Sequence, residues 1–210
     1  MPDLMSFLGV VLQGAGLFLV TNIDHLIVLT VLFGHWKGQR GLTRRIMAGQ
    51  YLGFGAMLAI IIVVALGAGW FIPQGWIRFF GLIPLLLGLH AAWKEIAERR
   101  ERKNDDDDDD EAEEVIRKTG GNPASIPTIA AITFANCGDE IGIYLPVFAV
   151  VEPWQIAVYV AVFALGVAGL VYLARSLVGI RGIDELLEKW EGILFPAVLI
   201  ILGVTILMAV

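Results

Sequence analysis

Apolar residues run in long stretches along this chain, with few of the polar interruptions that mark the water-facing side of a soluble helix or strand. Six segments stand out: Leu4–Phe33, Ile46–Trp70, Trp76–Trp93, Ile126–Val150, Trp154–Ala174 and Trp190–Val210. A hydrocarbon layer about 30 Å thick is crossed by about 20 helical residues, so the pattern predicts six transmembrane helices. The second, fifth and sixth segments have no polar face, which excludes a water-soluble helical bundle.

Composition agrees with the pattern. Of 210 residues, 57% are apolar and 17% charged, against about 45–50% and about 25% in ordinary soluble domains. Mean hydropathy is +0.75. Six spans leave only short connectors and one acidic loop, so no soluble catalytic domain fits and an enzyme is not expected. The formal net charge of −6 argues against nucleic acid, whose phosphates need a basic surface. The single cysteine, Cys137, forms neither an internal disulfide nor a dithiol redox pair. No Walker A loop is present, so ATP is not the expected driving force.

Charge sets the expected topology. Lys37, Arg40, Arg44 and Arg45 follow the first segment, seven basic residues lie between the third and fourth, and Arg175, Arg181 and Lys189 follow the fifth. Fourteen of the fifteen basic residues thus fall on one side. By the positive-inside rule that side is cytoplasmic and both termini lie outside. Trp36, Trp93 and Trp190 fall at the cytoplasmic ends, and Trp70, Trp76 and Trp154 at the outer ends, as interfacial indoles do. Met1-Pro2-Asp3 offers no positive n-region, so a cleaved signal peptide is not expected.

The two halves resemble each other. Thr21-Asn22-Ile23-Asp24 matches Ala135-Asn136-Cys137-Gly138-Asp139, and Gly81-Leu82-Ile83-Pro84 matches Gly192-Ile193-Leu194-Phe195-Pro196, each with one insertion. Three spans per half force the second copy to enter from the opposite face. The expected fold class is therefore an all-α integral membrane protein of two inverted-topology three-helix repeats. Residues 1–93 form the first repeat, 94–125 an acidic cytoplasmic linker and 126–210 the second repeat. In such proteins the ligand site lies near the midplane, where broken helices meet.

Three acids fall inside these segments: Asp24, Asp139 and Glu140. Asp24 lies about ten residues from its cytoplasmic end, about 15 Å deep, and Asp139 about 13 residues, about 20 Å. No Lys or Arg shares that depth, and only His25 is adjacent. Buried carboxylates there must be protonated, wetted or bound to a cation. Thr133, Asn136, Glu140 and Tyr144 share one helical face with Asp139 at its edge, whereas Asn22 joins Asp24 only if the first helix unwinds. Gly138, Gly142, Pro127 and Pro146 weaken the fourth helix, and a break near Asn136–Asp139 would expose carbonyls beside the Asn and Thr oxygens. The candidate metal-ligating set is Asp24, Asp139, Glu140, Asn22, Asn136, Cys137, Thr133 and His25. Oxygen donors alone suit Mg²⁺, Ca²⁺ or Mn²⁺, and Cys137 with His25 adds preference for Zn²⁺ or Cd²⁺. The competing readings are that the amides tie helices together, that Cys137 packs as a small apolar residue, and that His25 carries a proton.

The segment Ile132-Thr133-Phe134-Ala135-Asn136-Cys137-Gly138-Asp139-Glu140-Ile141-Gly142-Ile143-Tyr144-Leu145-Pro146 resembles the fourth-span signature of bacterial cadmium-resistance transporters, within the lysine-exporter superfamily. The likeness extends to Ile23-Asp24, Gly49-Gln50-Tyr51-Leu52-Gly53 and Gly81-Leu82-Ile83-Pro84-Leu85-Leu86-Leu87-Gly88. It implies a small multi-pass protein of the bacterial inner membrane that exports Cd²⁺, with Asp24 and Asp139 as ion-handling acids and Cys137 and Asn136 in the same motif. Glu140 stands where the family has an amide, His25 where an apolar residue is commoner, and the stretch after Cys137 is one residue shorter.

The resulting expectation is a proton-coupled secondary exporter of Cd²⁺, with Zn²⁺ as companion, acting through paired carboxylates between the first and fourth spans. The metal is cargo, and no cofactor is expected. The alternatives are export of a cationic amino acid or of another divalent ion such as Mn²⁺. Partners are the metal ion and the lipid bilayer; the glycine stripes Gly49-xxx-Gly53 and Gly138-xxx-Gly142 mark close helix packing and leave a homodimer open. Residues 94–125 hold 7 basic and 12 acidic groups, Asp105–Asp110 among them; such a block is expected to be a solvated linker. Residues 181–190 read as a short amphipathic surface helix.

Overall fold

The computed structural model describes residues 4–71, 78–101, 124–180 and 183–208. Over these residues the chain is all helical, with no strand. The helices are α1 (Leu4–Thr21), α2 (Ile23–His35), α3 (Leu42–Phe71), α4 (Leu82–Glu101), α5 (Ile126–Asn136), α6 (Gly138–Val150), α7 (Pro153–Leu177) and α8 (Ile183–Met208), with a 3-10 turn at Arg78–Gly81 before α4.

The first and fourth apolar segments are each broken once, at Asn22 between α1 and α2 and at Cys137 between α5 and α6. Asn22 adopts φ −116°, ψ 22° and Cys137 φ −81°, ψ 6°, whereas an α-helix needs ψ near −42°. Each break is one residue wide. The Leu26 N–H donates to the Asn22 carbonyl at 3.1 Å, and the Cys137 N–H to the Thr133 carbonyl at 3.0 Å, so the ladder resumes at once. The break expected near Asn136–Asp139 thus falls on Cys137.

Local chemistry explains where the second-half helices start. The Ser125 hydroxyl accepts from the Thr128 N–H, with Pro127 in the first turn of α5. Glu152 and Gln155 form a reciprocal capping box ahead of α7, with Pro153 at its start. Two boundaries differ from the hydropathy reading. Helix α4 continues past Lys94 to Glu101, and α8 begins at Ile183, so the expected amphipathic helix runs directly into the last apolar segment. No proline separates them, and a polarity change alone does not end a helix. The acidic tract Asp105–Asp110 lies outside the described residues.

Helix α1, Leu42–Gly67 of α3, and α7 are each long and apolar enough to cross a membrane. The other apolar helices are shorter: Cys137 divides the fourth segment, and the apolar parts of α4 and α8 are Leu82–Lys94 and Ile193–Met208. Large apolar side chains such as Leu12, Val63 and Leu165 point outward, as they do where the solvent is lipid. Trp93 is exposed at its helix's polar end, whereas Trp36 is packed inside.

The halves interleave. Helices α1 and α2 lie against α7, α3 against α5 and α6, and α4 against α8. Gly49 and Gly53 make the α3–α5 contact close, because a Cβ on either would sit 2.6 Å or less from Ile129 or Ala130 of α5. Two apolar clusters result. One gathers Phe18, Phe54, Tyr144, Phe148, Tyr159 and Phe163, and the other Leu26, Leu29, Leu32, Phe33, Ile46 and Ile129. Cys137, at the second break, belongs to the first cluster.

Candidate functional site

Beside these apolar side chains the chain buries six polar ones: Thr21, Asn22, His25, Gln50, Thr133 and Glu140, each 4% exposed or less. Burying so many polar groups costs free energy unless they are paired or bind something. Some are paired. The Thr133 hydroxyl donates to the Ile129 carbonyl at 2.8 Å, and the Thr21 hydroxyl to the Leu17 carbonyl at 3.0 Å. Thr21 also shares a hydrogen bond with the Tyr144 hydroxyl. The Asn22 side-chain amide donates to the Phe18 carbonyl at 3.0 Å and reaches the Tyr144 hydroxyl at 3.2 Å. Tyr144 on α6 thereby ties itself to the break between α1 and α2.

A second group lies beside this tie. The His25 imidazole, the Cys137 thiol and the Glu140 carboxylate are all buried, and one donor atom from each lies within 4.8 Å of the other two. His25 Nδ1 is 3.8 Å from a Glu140 carboxylate oxygen, beyond hydrogen-bond reach. Neither His25 ring nitrogen has a hydrogen-bond partner. A buried imidazole normally satisfies at least one nitrogen, so these two are available to a ligand. Each break places donors in the same way: His25 is the third residue after Asn22, and Glu140 the third after Cys137. Both side chains therefore leave the first turn of the helix that follows a break.

The donor chemistry is mixed: one sulfur, one imidazole nitrogen and one carboxylate oxygen. Zn²⁺ takes such ligands tetrahedrally at about 2.0–2.3 Å, which puts donors about 3.3–3.8 Å apart. A contraction of about 1 Å at the widest pair would meet that geometry.

A family model for cadmium resistance transporters matches residues 18–210. The chain belongs to the cadmium resistance transporter family. No curated protein and no solved structure matches it. The matched region includes both breaks and all three grouped donors, so the membership and the geometry refer to the same part of the chain.

As a cadmium resistance transporter, the chain is a membrane protein of a transport family rather than one of an enzyme family. Of the candidate ligands read from sequence, the structure brings His25, Cys137 and Glu140 together. Asn22 is buried, but its amide faces the Tyr144 tie. Asp24 is half-buried and accepts the His25 backbone N–H at 2.7 Å; its carboxylate is not in the three-donor group. Thr133 is buried with its hydroxyl turned to its own helix, and Asn136 is half-buried. The Asp139 side chain lies outside the described residues. Thr21 and Tyr144 were not among the expected site residues, although Tyr144 shares a helical face with Glu140, one turn along. That spacing was the available signal; what it could not supply was the partner on α1.

Proposed function

We propose that this cadmium resistance transporter is a secondary-active exporter of a divalent heavy metal, Cd²⁺ with Zn²⁺ as companion, in the bacterial inner membrane. The observation that carries the reading is the buried group of His25, Cys137 and Glu140. Cd²⁺ and Zn²⁺ suit a sulfur–nitrogen–oxygen set, whereas Mg²⁺ or Ca²⁺ would call for oxygen alone. Charge balance supports the same reading. A thiolate and a carboxylate together neutralise a divalent ion, leaving a complex with no net charge to bury among apolar helices. Once the ion leaves, two negative charges remain unless other cations replace it, and protons are the smallest such cations. We therefore propose exchange for protons, with Asp24 and Asp139 as further acids on the same path.

The architecture proposed for this cycle has six spans in two inverted three-helix repeats, 1–93 and 126–210, joined by the linker 94–125, with both termini outside. The packing supports it: exchanging the halves turns the contact of α1 and α2 with α7 into that of α5 and α6 with α3, and maps α4–α8 onto itself. A two-fold relation between repeats has this property. The test is ¹⁰⁹Cd²⁺ uptake into inside-out vesicles, with and without a pH gradient, for the native chain, Glu140→Gln, Cys137→Ser and Asp24→Asn. Accumulation that follows the gradient and is lost in Glu140→Gln and Cys137→Ser at normal expression is the expected result. Cd²⁺ uptake unchanged in both variants would remove the site. Transport of lysine or Mn²⁺ in place of Cd²⁺ would remove the substrate assignment.

A further inference from the structure

At the far end of α2 from its break, the structure has a surface cavity of about 760 Å³. It is lined by Lys37 and Gln39 of the α2–α3 connection, Thr43 and Arg44 at the start of α3, Arg175 near the end of α7, and Phe33 near the end of α2. Three cationic side chains line this space, and among the described residues no acidic one does. Arg175 is steered there, since its guanidinium donates to the Thr43 hydroxyl at 3.3 Å across the gap between α7 and α3. Gly38 and Gly41 take φ of +95° and +74°, which any side chain would strain, and they fold the connection into a tight rim. The positive end of the α3 dipole adds to the field of the cations.

Like charges held around one cavity repel each other and favour an anion. A metal cation is repelled here, so this cavity is not the metal site. We propose that the cavity binds a phosphate group, supplied by the headgroup of an anionic phospholipid or by free phosphate. Basic pockets between helices at a membrane surface suit headgroup phosphates, and each Lys or Arg near such a surface strengthens the attraction about fivefold. The location gives the site a consequence. It bridges α2, whose other end carries His25, to α3 and α7, so an occupied cavity pins one end of the helix that bears a metal donor.

The test uses the full chain purified in a neutral detergent, with native mass spectrometry during titration by phosphatidylglycerol, phosphatidylcholine or inorganic phosphate. Three proteins are compared: the native chain, Lys37→Gln/Arg175→Gln, and the charge-matched Arg40→Gln/Lys94→Gln, whose residues do not line the cavity. The native chain should prefer phosphatidylglycerol to phosphatidylcholine. The cavity variant should bind phosphatidylglycerol roughly 25-fold more weakly, and the charge-matched variant, whose charges do not line the cavity, should lose markedly less. Weakening confined to inorganic phosphate, with no lipid preference, would assign the site to a free anion. Equal losses in both double variants, or no loss in either, would overturn the proposal. Should the cavity double variant fail to fold, Arg44→Gln alone must show about a fivefold loss for the proposal to stand. Because binding is read without metal or transport, this outcome is independent of the export reading.

Discussion

Replacing Gly53 with alanine tests whether the close contact between α3 and α5 sets the position of the Cys137 thiol. A Cβ at residue 53 would lie 2.5 Å from the Ala130 carbonyl oxygen and 2.7 Å from Thr133 Cβ, both on α5. Neither is the free end of a flexible side chain, so the helices must move apart. Overpacking of this kind costs about 1–3 kcal/mol, partly offset by the gain of about 1 kcal/mol when alanine replaces glycine in a helix. Gly55 on the same helix is the control, because nothing lies within 4 Å of the Cβ it would acquire. Gly55→Ala collects the helix gain without the clash. The two variants should therefore differ by the overpacking cost alone, and at about 2–4 °C per kcal/mol Gly53→Ala should melt roughly 2–12 °C below Gly55→Ala. Tryptophan fluorescence during thermal unfolding in detergent reads the difference. The functional arm follows from the Cys137 N–H, which is bonded to the Thr133 carbonyl at 3.0 Å; moving Thr133 moves the thiol. Cd²⁺ binding by isothermal titration should weaken in Gly53→Ala and stay native in Gly55→Ala. Equal melting temperatures would refute the packing argument, and native Cd²⁺ affinity in a destabilised Gly53→Ala would refute the link to the thiol.

Three further outcomes follow from the same geometry. Tyr144→Phe removes the hydroxyl shared by Thr21 and Asn22, but leaves Thr21 bonded to Leu17 and Asn22 to Phe18; the expected cost is about 1 kcal/mol, seen as a melting point lowered by about 2–4 °C. Cys137→Ser exchanges a soft donor for a hard one of similar size, so the melting temperature without metal should change little while Cd²⁺ affinity falls at least about tenfold; the native chain with Cd²⁺ should show an ultraviolet thiolate-to-metal absorption, and its absence there, or native affinity in the variant, would place the thiol outside the site. Gly203→Ala sets a Cβ 2.6 Å from Leu85 and 2.7 Å from the Gly81 carbonyl, so it should destabilise the α4–α8 contact by about 1–3 kcal/mol. Well below its melting point that variant should bind Cd²⁺ with native stoichiometry, because no donor lies on α4 or α8.

The helices were readable from hydrophobic runs because one physical cause, removal of apolar surface from water, writes itself along the whole chain. The readable part of the site was the pair of weak points. Gly138 and the flanking prolines signalled the break realised at Cys137, and Asn22 was recognised as out of phase with Asp24 unless the first helix unwound. Pairings across the fold were not readable. Thr21 and Tyr144 lie 123 residues apart, and nothing in either segment names the other. The same holds for the acid beside His25: nothing in the sequence pairs Glu140 with the imidazole, and only the fold sets its carboxylate 3.8 Å from Nδ1. Hydropathy also stops at the first charge, which is why it ended the third segment at Trp93 while α4 runs on to Glu101. A helix ends where its hydrogen bonds end, not where its polarity changes.

The position of the donors relative to the breaks bears on how an ion could be held and then let go. His25 leaves the first turn of α2, and Cys137 and Glu140 stand at the cap and in the first turn of α6. Helix N-termini carry partial positive charge that stabilises nearby anions and opposes a cation. In the proposed site, a metal at both half-helices is held against a repulsive field that three direct donors must overcome. When one donor moves away, the field favours release, and in the proposed exchange protons take the ion's place on the thiol and the carboxyl. Since His25 belongs to α2 and Glu140 to α6, with Cys137 at the break before it, separating these helices by the width of one coordinate bond is enough to lose a donor. Tyr144 guards that separation, because its hydroxyl bridges from α6 to Thr21 and Asn22 at the other break. On the proposed reading, metal affinity and the closeness of the two breaks are one variable, which is the coupling an alternating-access exporter would need between its cargo and its helices.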